Sequence, residues 1–200
     1  MRYLLIAFLF IQGLTFPCTA FYAYNEKMAL AGNNEDFYHT KTRIWFIPAE
    51  EGRFGRVYLG YDDGYSQGAM NDQGLFMDGF ATRPFPVTRS EGKPVYKGNF
   101  MDDTMATCAT VQDVVDLWRQ YDLSMLETAM LMFADRNGDS VIIEGDEFLR
   151  IEGRYQVTTN FYQSAVKGDD VTCWRFKTAT RMLEESGEIS VDLFRRILDA

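Results

Sequence analysis

Cys18 stands directly behind Pro17, at the end of an apolar opening run, in a chain with two other cysteines, Cys108 and Cys173, and one histidine, His39. If the segment ahead of Cys18 is removed, its thiol and a free α-amino group belong to the same residue. Their ordinary pKa values, about 8.5 for the thiol and about 7.7–8.0 for the amine, let the amine take the thiol proton near neutral pH, directly or through one water. One residue then supplies both nucleophile and base. The competing arrangement is a Cys18–His39 pair, with His39 of "FYHTKT" as the base. That chemistry also needs an orienting third residue and a helix N-terminus under the sulfur, and the residues after Cys18 have strand character instead. His39 therefore reads as an ordinary loop residue, and His39→Ala is expected to leave turnover near wild type.

Other polar groupings are weaker candidates. In "DRNGDSVIIEGD", Asp135, Asn137, Asp139 and Glu144 superficially resemble a calcium loop, but Gly138 falls fourth and Glu144 tenth. An EF-hand needs Gly sixth and a bidentate Glu twelfth, so a hairpin turn is expected. Three isolated cysteines and one histidine supply no zinc spacing. Neither metal nor cofactor is called for. In an oxidising compartment Cys108 and Cys173 either pair, leaving Cys18 as the free thiol, or all three stay buried and reduced.

The opening "MRYLLIAFLFIQGLT" has one Arg and then an apolar run that Gln12 and Gly13 break early. A bilayer span needs about 20 apolar residues, so an export leader over 1–17 is expected rather than a stable membrane anchor. The "TFP" before Cys18 lacks the small residues that signal peptidase prefers, which leaves open what cuts there. The mature protein is expected to be exported, periplasmic or secreted. A net charge of −9 disfavours nucleic acid and anionic lipid surfaces as partners. With 46% apolar and 15% aromatic residues, the remaining 18–200 can fill the core of one domain.

These residues must be held by the elements around them. From 18 to 81, "CTAFYAY", "MALAG", "RIWFIPA", "GRVYLGY", "GAMN" and "GLFMDGFA" read as short strands separated by Gly, Asp and Asn, with "NEK" as the first turn. "RPFPVTRSEGKPVY" reads as an ordered loop. "TVQDVVDLWRQYD" reads as a helix, with Thr110 as cap, Asp113 at the capping-box position and an apolar stripe of Val111, Val114, Val115, Leu117 and Trp118. "AMLMFADRNGDSVIIEGDEFLRIEGRYQVTTNF" returns to strands, and "WRFKTATRMLEES" and "SVDLFRRILDA" close the chain as helices. The order of elements predicts an α+β layered domain. The last helix reaches Ala200 without a stop signal, so the chain is expected to lack further C-terminal strands.

"PCTAF", "GNNEDF", "GAMNDQGLFMDGFA", "ADRNGDSVIIEGD", "QVTTNFY" and "CWRFKTATRML" stand in the order seen in the choloylglycine hydrolase family, which the chain resembles from Cys18 to about Leu183. These are linear amide C–N hydrolases of the N-terminal nucleophile superfamily, among them bile salt hydrolases and penicillin V acylases. The resemblance implies a four-layer αββα sandwich with the nucleophile at the start of a central strand. It implies that Cys18 is the nucleophile, that the Asp36 carboxylate holds amine and thiol in place, that the Asn160 amide donates to the oxyanion, and that Arg175 orients these groups. No cofactor is implied.

Two positions depart from the family pattern. Asn33 stands where the family usually has Arg, removing a positive charge that favours thiolate, and Ala81 stands where a second oxyanion Asn is common. Asn33, Ala81 and Asp78 are placed on the substrate side of the site. Asp78 is a carboxylate on a strand expected to be buried, where it needs a partner. Asn71 of "MNDQGL" reads as a turn residue, with Gly74 relieving the backbone. The expected partner is a small acyl-amide, and a homo-oligomer is compatible with the sequence. The sixteen Phe and eleven Tyr, some of them in "GRVYLGY", "RPFPV" and "NFY", offer candidates to line a pocket for an apolar acyl chain. Acyl transfer from the same acyl-enzyme, and a secreted binding protein that keeps the scaffold without the catalysis, stay open as alternatives.

Overall fold

The computed structural model describes residues 18–36, 40–87, 91–166 and 168–200. The expected leader, 1–17, and His39 lie outside the described residues. The six strands expected in the first third are β1 (Thr19–Tyr24), β2 (Ala29–Asn34), β3 (Thr42–Ile47), β4 (Arg56–Tyr61), β5 (Ser66–Asn71) and β6 (Phe76–Ala81). Two helices follow, α1 (Phe100–Thr107) and α2 (Val111–Trp118), then β7 (Ala129–Ala134), β8 (Ser140–Glu144), β9 (Glu147–Arg150) and β10 (Tyr155–Thr159), and finally α3 (Trp174–Glu185) and α4 (Val191–Leu198).

The strands form two antiparallel sheets, a three-stranded one in the order β10-β1-β2 and a seven-stranded one running β3 to β9 in sequence order. Strand alternation builds the layers. On β1, Ala20 and Tyr22 face the larger sheet, meeting Phe80, Met130, Met132, Ala134 and Ile142. Their neighbours Phe21 and Ala23 face Ala179 and Leu183 of α3 and Leu193, Phe194 and Ile197 of α4. The opposite face of the larger sheet offers Met77, Leu131, Phe133, Val141 and Ile143 to α1 and α2. The result is helices, sheet, sheet, helices: the α+β layered domain read from the order of elements, in the four-layer form that the resemblance implied.

Local chemistry explains the boundaries. Thr110 and Asp113 complete the expected capping box of α2, each accepting from the other's backbone N–H. The α1 helix has no counterpart in the sequence reading, because Asp102, Asp103 and Thr104 interrupt its apolar pattern. It forms because those polar groups are used. The Asn99 side chain caps it, accepting from the Asp102 N–H, and Thr104 Oγ1 accepts from the Trp118 indole N–H at 2.9 Å. Asp102 accepts from Arg56 Nε at 2.7 Å, Arg56 Nη2 at 2.9 Å and Tyr58 OH at 2.6 Å, which pins α1 to β4.

Two turns that offered tempting side chains are structural. The Asp135 carboxylate accepts the backbone N–H groups of Val111, Asn137 and Asp139, and its carbonyl accepts from Tyr22 OH at 2.7 Å. It locks the β7–β8 hairpin to α2 and β1. Buried Asn71 does the same for the β5–β6 turn. Its side-chain oxygen accepts from the N–H of Gln73 and Leu75, and its amide donates to the carbonyls of Met105 and Cys108 at 2.9 and 2.8 Å. Gly74, at φ +84°, takes the left-handed conformation this turn requires.

All three cysteines are free thiols, so the Cys108–Cys173 pairing is not formed. The two lie in opposite outer layers: Cys108 is buried in the core under α1 and α2, and Cys173 starts α3. Among the described residues, no helix is long and apolar enough to cross a membrane.

Candidate active site

The ladders on either side of β1 bring the candidate residues to one end. The hairpin register pairs Tyr24 with Ala29 and Thr19 with Asn34, so one further step sets Glu35 opposite Cys18. On the other side Thr19 pairs with Thr159, and the same step sets Asn160 opposite Cys18. Cys18 therefore sits between the two residues that leave β2 and β10. Its side chain joins Ala20 and Tyr22 in the space between the sheets and is 5% exposed.

Cys18 Sγ donates to Glu35 Oε2 at 3.3 Å. The other Glu35 oxygen, Oε1, accepts from Asn33 Nδ2 at 3.2 Å, and the same amide lies 3.4 Å from Asp78 Oδ1. Asp36 meets the sulfur through its backbone N–H, while its side chain is exposed. The carboxylate at the thiol is thus that of Glu35. Glu35 is the site residue that the sequence reading passed over, although counting outward from the "NEK" turn places it across from Cys18.

Asp78 is wholly buried, as its place on β6 suggested, and its Oδ2 has no hydrogen-bond partner. Burial, followed by the nearby negative charge of Glu35, pushes its carboxyl well above the usual carboxylate range. A proton on Asp78 makes it a donor to Glu35, whose carboxyl group lies within hydrogen-bonding reach. Burial, followed by the Glu35 charge, also pushes the Cys18 thiol up to about 12, against the opposing effect of the Asp36 N–H. Tyr61 of β4 borders the same space, and burial with the charges of Glu35 and Cys18 pushes it up to about 12. With Pro17 still attached, the sulfur keeps its proton at neutral pH.

On the carbonyl side of Cys18, Arg175 near the start of α3 forks inward. Its Nη1 donates to the Cys18 carbonyl and, at 2.9 Å, to Thr19 Oγ1; Nη2 lies 3.4 Å from Asn160 Oδ1. Asn160 Nδ2 donates to the Ala81 carbonyl at 2.8 Å. Ala81 thus takes part through its main-chain oxygen, as the anchor of Asn160. Cys18, Asn160, Arg175, Asn33, Asp78 and Ala81 converge, with Glu35 at the centre of the acidic side.

A cleft of about 510 Å³ reaches this region through Thr19, Glu35, Asp36, Trp174 and Arg175. It lies on the face of β1 away from the sulfur, so it meets the site through the acidic loop and not through Sγ. A different surface leads away from Asp78 on the sulfur's side. The register runs Asp78, Gly68, Leu59, Ile44 across β6, β5, β4 and β3, and Phe46 and Met70 share that face. Ile44, Phe46, Leu59 and Met70 are all exposed there, beyond the edge of the smaller sheet.

No family model matches the sequence, and no curated protein matches it. Solved structures do match. A penicillin V acylase from Agrobacterium tumefaciens aligns with TM-score 0.67 at 18% identity, covering 91% of this chain and 71% of that one. A conjugated bile acid hydrolase from Clostridium perfringens gives 0.65 at 20% identity, over 91% and 78%. An N-acylethanolamine-hydrolyzing acid amidase ortholog from Caenorhabditis elegans gives 0.66 at 15% identity, over 92% and 86%. At these identities the likeness establishes a shared fold.

Proposed function

We propose that the chain is a cysteine N-terminal nucleophile amidohydrolase of the choloylglycine hydrolase type, cleaving a linear amide through a thioester on Cys18. The observation that carries this reading is the convergence of Asn160 and Arg175 on Cys18 at the head of β1, within a fold shared with three proteins named for amide hydrolysis. Once the residues ahead of Cys18 are removed, its α-amine takes the proton from Sγ. The sulfur attacks the acyl carbonyl, an S–C bond forms, and the carbonyl electron pair moves onto oxygen. Asn160 has a second amide N–H beyond the one bound to Ala81, and it stabilises that oxyanion. Collapse breaks the C–N bond, and the α-ammonium returns its proton to the leaving amine. Water then gives a proton to the same amine and attacks the thioester carbonyl, the C–S bond breaks, and the proton passes from the ammonium to sulfur as the carboxylic acid leaves.

The substrate is a small acyl-amide whose acyl part is apolar, lying along Ile44, Leu59 and Met70 toward the sulfur. With Asn33 in place of a basic residue beside the Glu35 carboxylate, substrates with an anionic amine part, such as bile salts, are disfavoured here. Proposed localisation is outside the cytoplasm, following leader removal.

The test is the mass of the mature N-terminus together with trapping of the thioester. A chain beginning at Cys18, labelled there by an acyl probe and inactive as Cys18→Ser, is the expected result. A mature chain beginning at Ala20 or later, or one that hydrolyses amides at full rate with Pro17 attached, rejects the reading.

A further inference from the structure

We propose that Glu35 is a further catalytic residue, holding the proton on Cys18 Sγ until a terminal amine is present, and that Asp78 is its positioning residue, carrying a proton of its own. The proposal deepens the reading above and rests on it for the role of the amine. Its basis is the arrangement of two carboxyl groups and one amide around the sulfur. Glu35 presents one oxygen to Sγ at 3.3 Å, and its other oxygen is held by Asn33 Nδ2 at 3.2 Å. That amide also reaches Asp78, whose Oδ2 is fully buried and has no partner unless it bears a proton that Glu35 accepts.

Among the described residues, the groups facing the sulfur that bear on its proton are acidic or neutral. Glu35 and the Asp36 backbone come from the end of β2, Asp78 from β6 and Tyr61 from β4, with Asp63 adding charge near Tyr61. Among the described residues the cation at the site is Arg175 on α3, which spends its donors on the Cys18 carbonyl, Thr19 and Asn160. While residue 18 is joined to Pro17, the anion of Glu35 opposes ionisation of the thiol. When a free amine exists, the S–H bond breaks, an N–H bond forms, and the resulting ammonium offsets the Glu35 charge. Thiolate, ammonium and carboxylate then stand together with no net change in protons. Asp78, neutral, keeps Glu35 aimed at the sulfur without adding a second buried negative charge.

The test uses the full chain with Pro17 attached and needs no acyl substrate. Alkylation of Cys18 by iodoacetamide is followed by peptide mass mapping at several pH values, in wild type and in Glu35→Gln, a substitution at an exposed position. Glu35→Gln is expected to alkylate at least about tenfold faster at a given pH, the change that one pKa unit produces. Rates within twofold of wild type overturn the role of Glu35. Asp78 is tested by infrared spectroscopy at neutral pH: a carboxylic-acid C=O band is expected in wild type, kept in Glu35→Gln and lost in Asp78→Asn. A wild-type spectrum without the band, or its survival in Asp78→Asn, overturns the role of Asp78. Both measurements report thiol and carboxyl protonation alone. A failure of amide hydrolysis therefore sinks the proposed function, and unchanged alkylation beside intact hydrolysis sinks only this inference.

Discussion

The Asn160 amide donates to the Ala81 carbonyl at 2.8 Å, joining the end of β10 in the smaller sheet to the end of β6 in the larger one. That bond sets where the second N–H of Asn160 points. It also makes the spacing of the two sheets a determinant of the chemistry.

Asn160→Ala removes the proposed oxyanion donor while leaving the thiol in place. The expected loss is about 10²–10³ in kcat, with KM little changed. Steady-state kinetics on an amide that wild type cleaves measures it, and a loss below about tenfold would assign the oxyanion to another donor.

Arg175 contacts a carbonyl, a hydroxyl and an amide oxygen with one planar group. A lysine ammonium is a point donor and cannot span the three. Arg175→Lys is therefore expected to lower kcat/KM at least about tenfold, with the melting temperature close to wild type. Full activity in the lysine variant would show that charge alone, without the fork, suffices.

Asn71 is a stability prediction. Asn71→Ala strands two backbone N–H groups and two carbonyls that its side chain now satisfies, in a position only 5% exposed. Each buried group left unmade costs about 1–3 kcal/mol, and partial rehydration recovers some of that. A loss of about 3 kcal/mol in urea unfolding is expected at unchanged m; a loss under about 1 kcal/mol would mean that the turn holds without it.

The pH dependence of stability should bear the mark of Asp102. Burial alone would raise its carboxyl, but the hydrogen bonds from Arg56 and Tyr58 and the charges of Arg56 and Arg53 more than offset this and hold it below its usual value of 3.8. A depressed folded-state pKa stabilises above the unfolded value and is lost as pH falls through the folded one. Asp102→Asn should thus cost stability at pH 7, and the gap from wild type should close as pH falls below about 4. Melting temperatures of both proteins across that range give the check. A gap that stays constant into acid would place the effect in packing rather than charge.

Much of the scaffold was legible before the fold was seen, for reasons that stay local. Short, nearly continuous apolar runs in "CTAFYAY" and "AMLMFA", bounded by Gly, Asp and Asn turns, mark strands buried on both faces, and the Thr110–Asp113 box and apolar stripe mark α2. The helix α1 was not legible, because its polar residues find their partners outside the helix, on Arg53, β4, Tyr96 and Trp118 of α2. Asp36 was favoured over Glu35 by resemblance alone, whereas the choice depends on the β1–β2 register and on which residue's side chain turns inward.

By itself the sequence determined that short strands follow Cys18, joined by the "NEK" turn, and that amides and carboxylates gather in "GNNED". Those are consequences of short-range periodicity and turn chemistry. Only the tertiary structure decided that Glu35 and a wholly buried Asp78, from different sheets, meet at the sulfur, and that Arg175 arrives from the opposite side. Desolvation and charge act through distance in space, and packing two sheets face to face sets those distances.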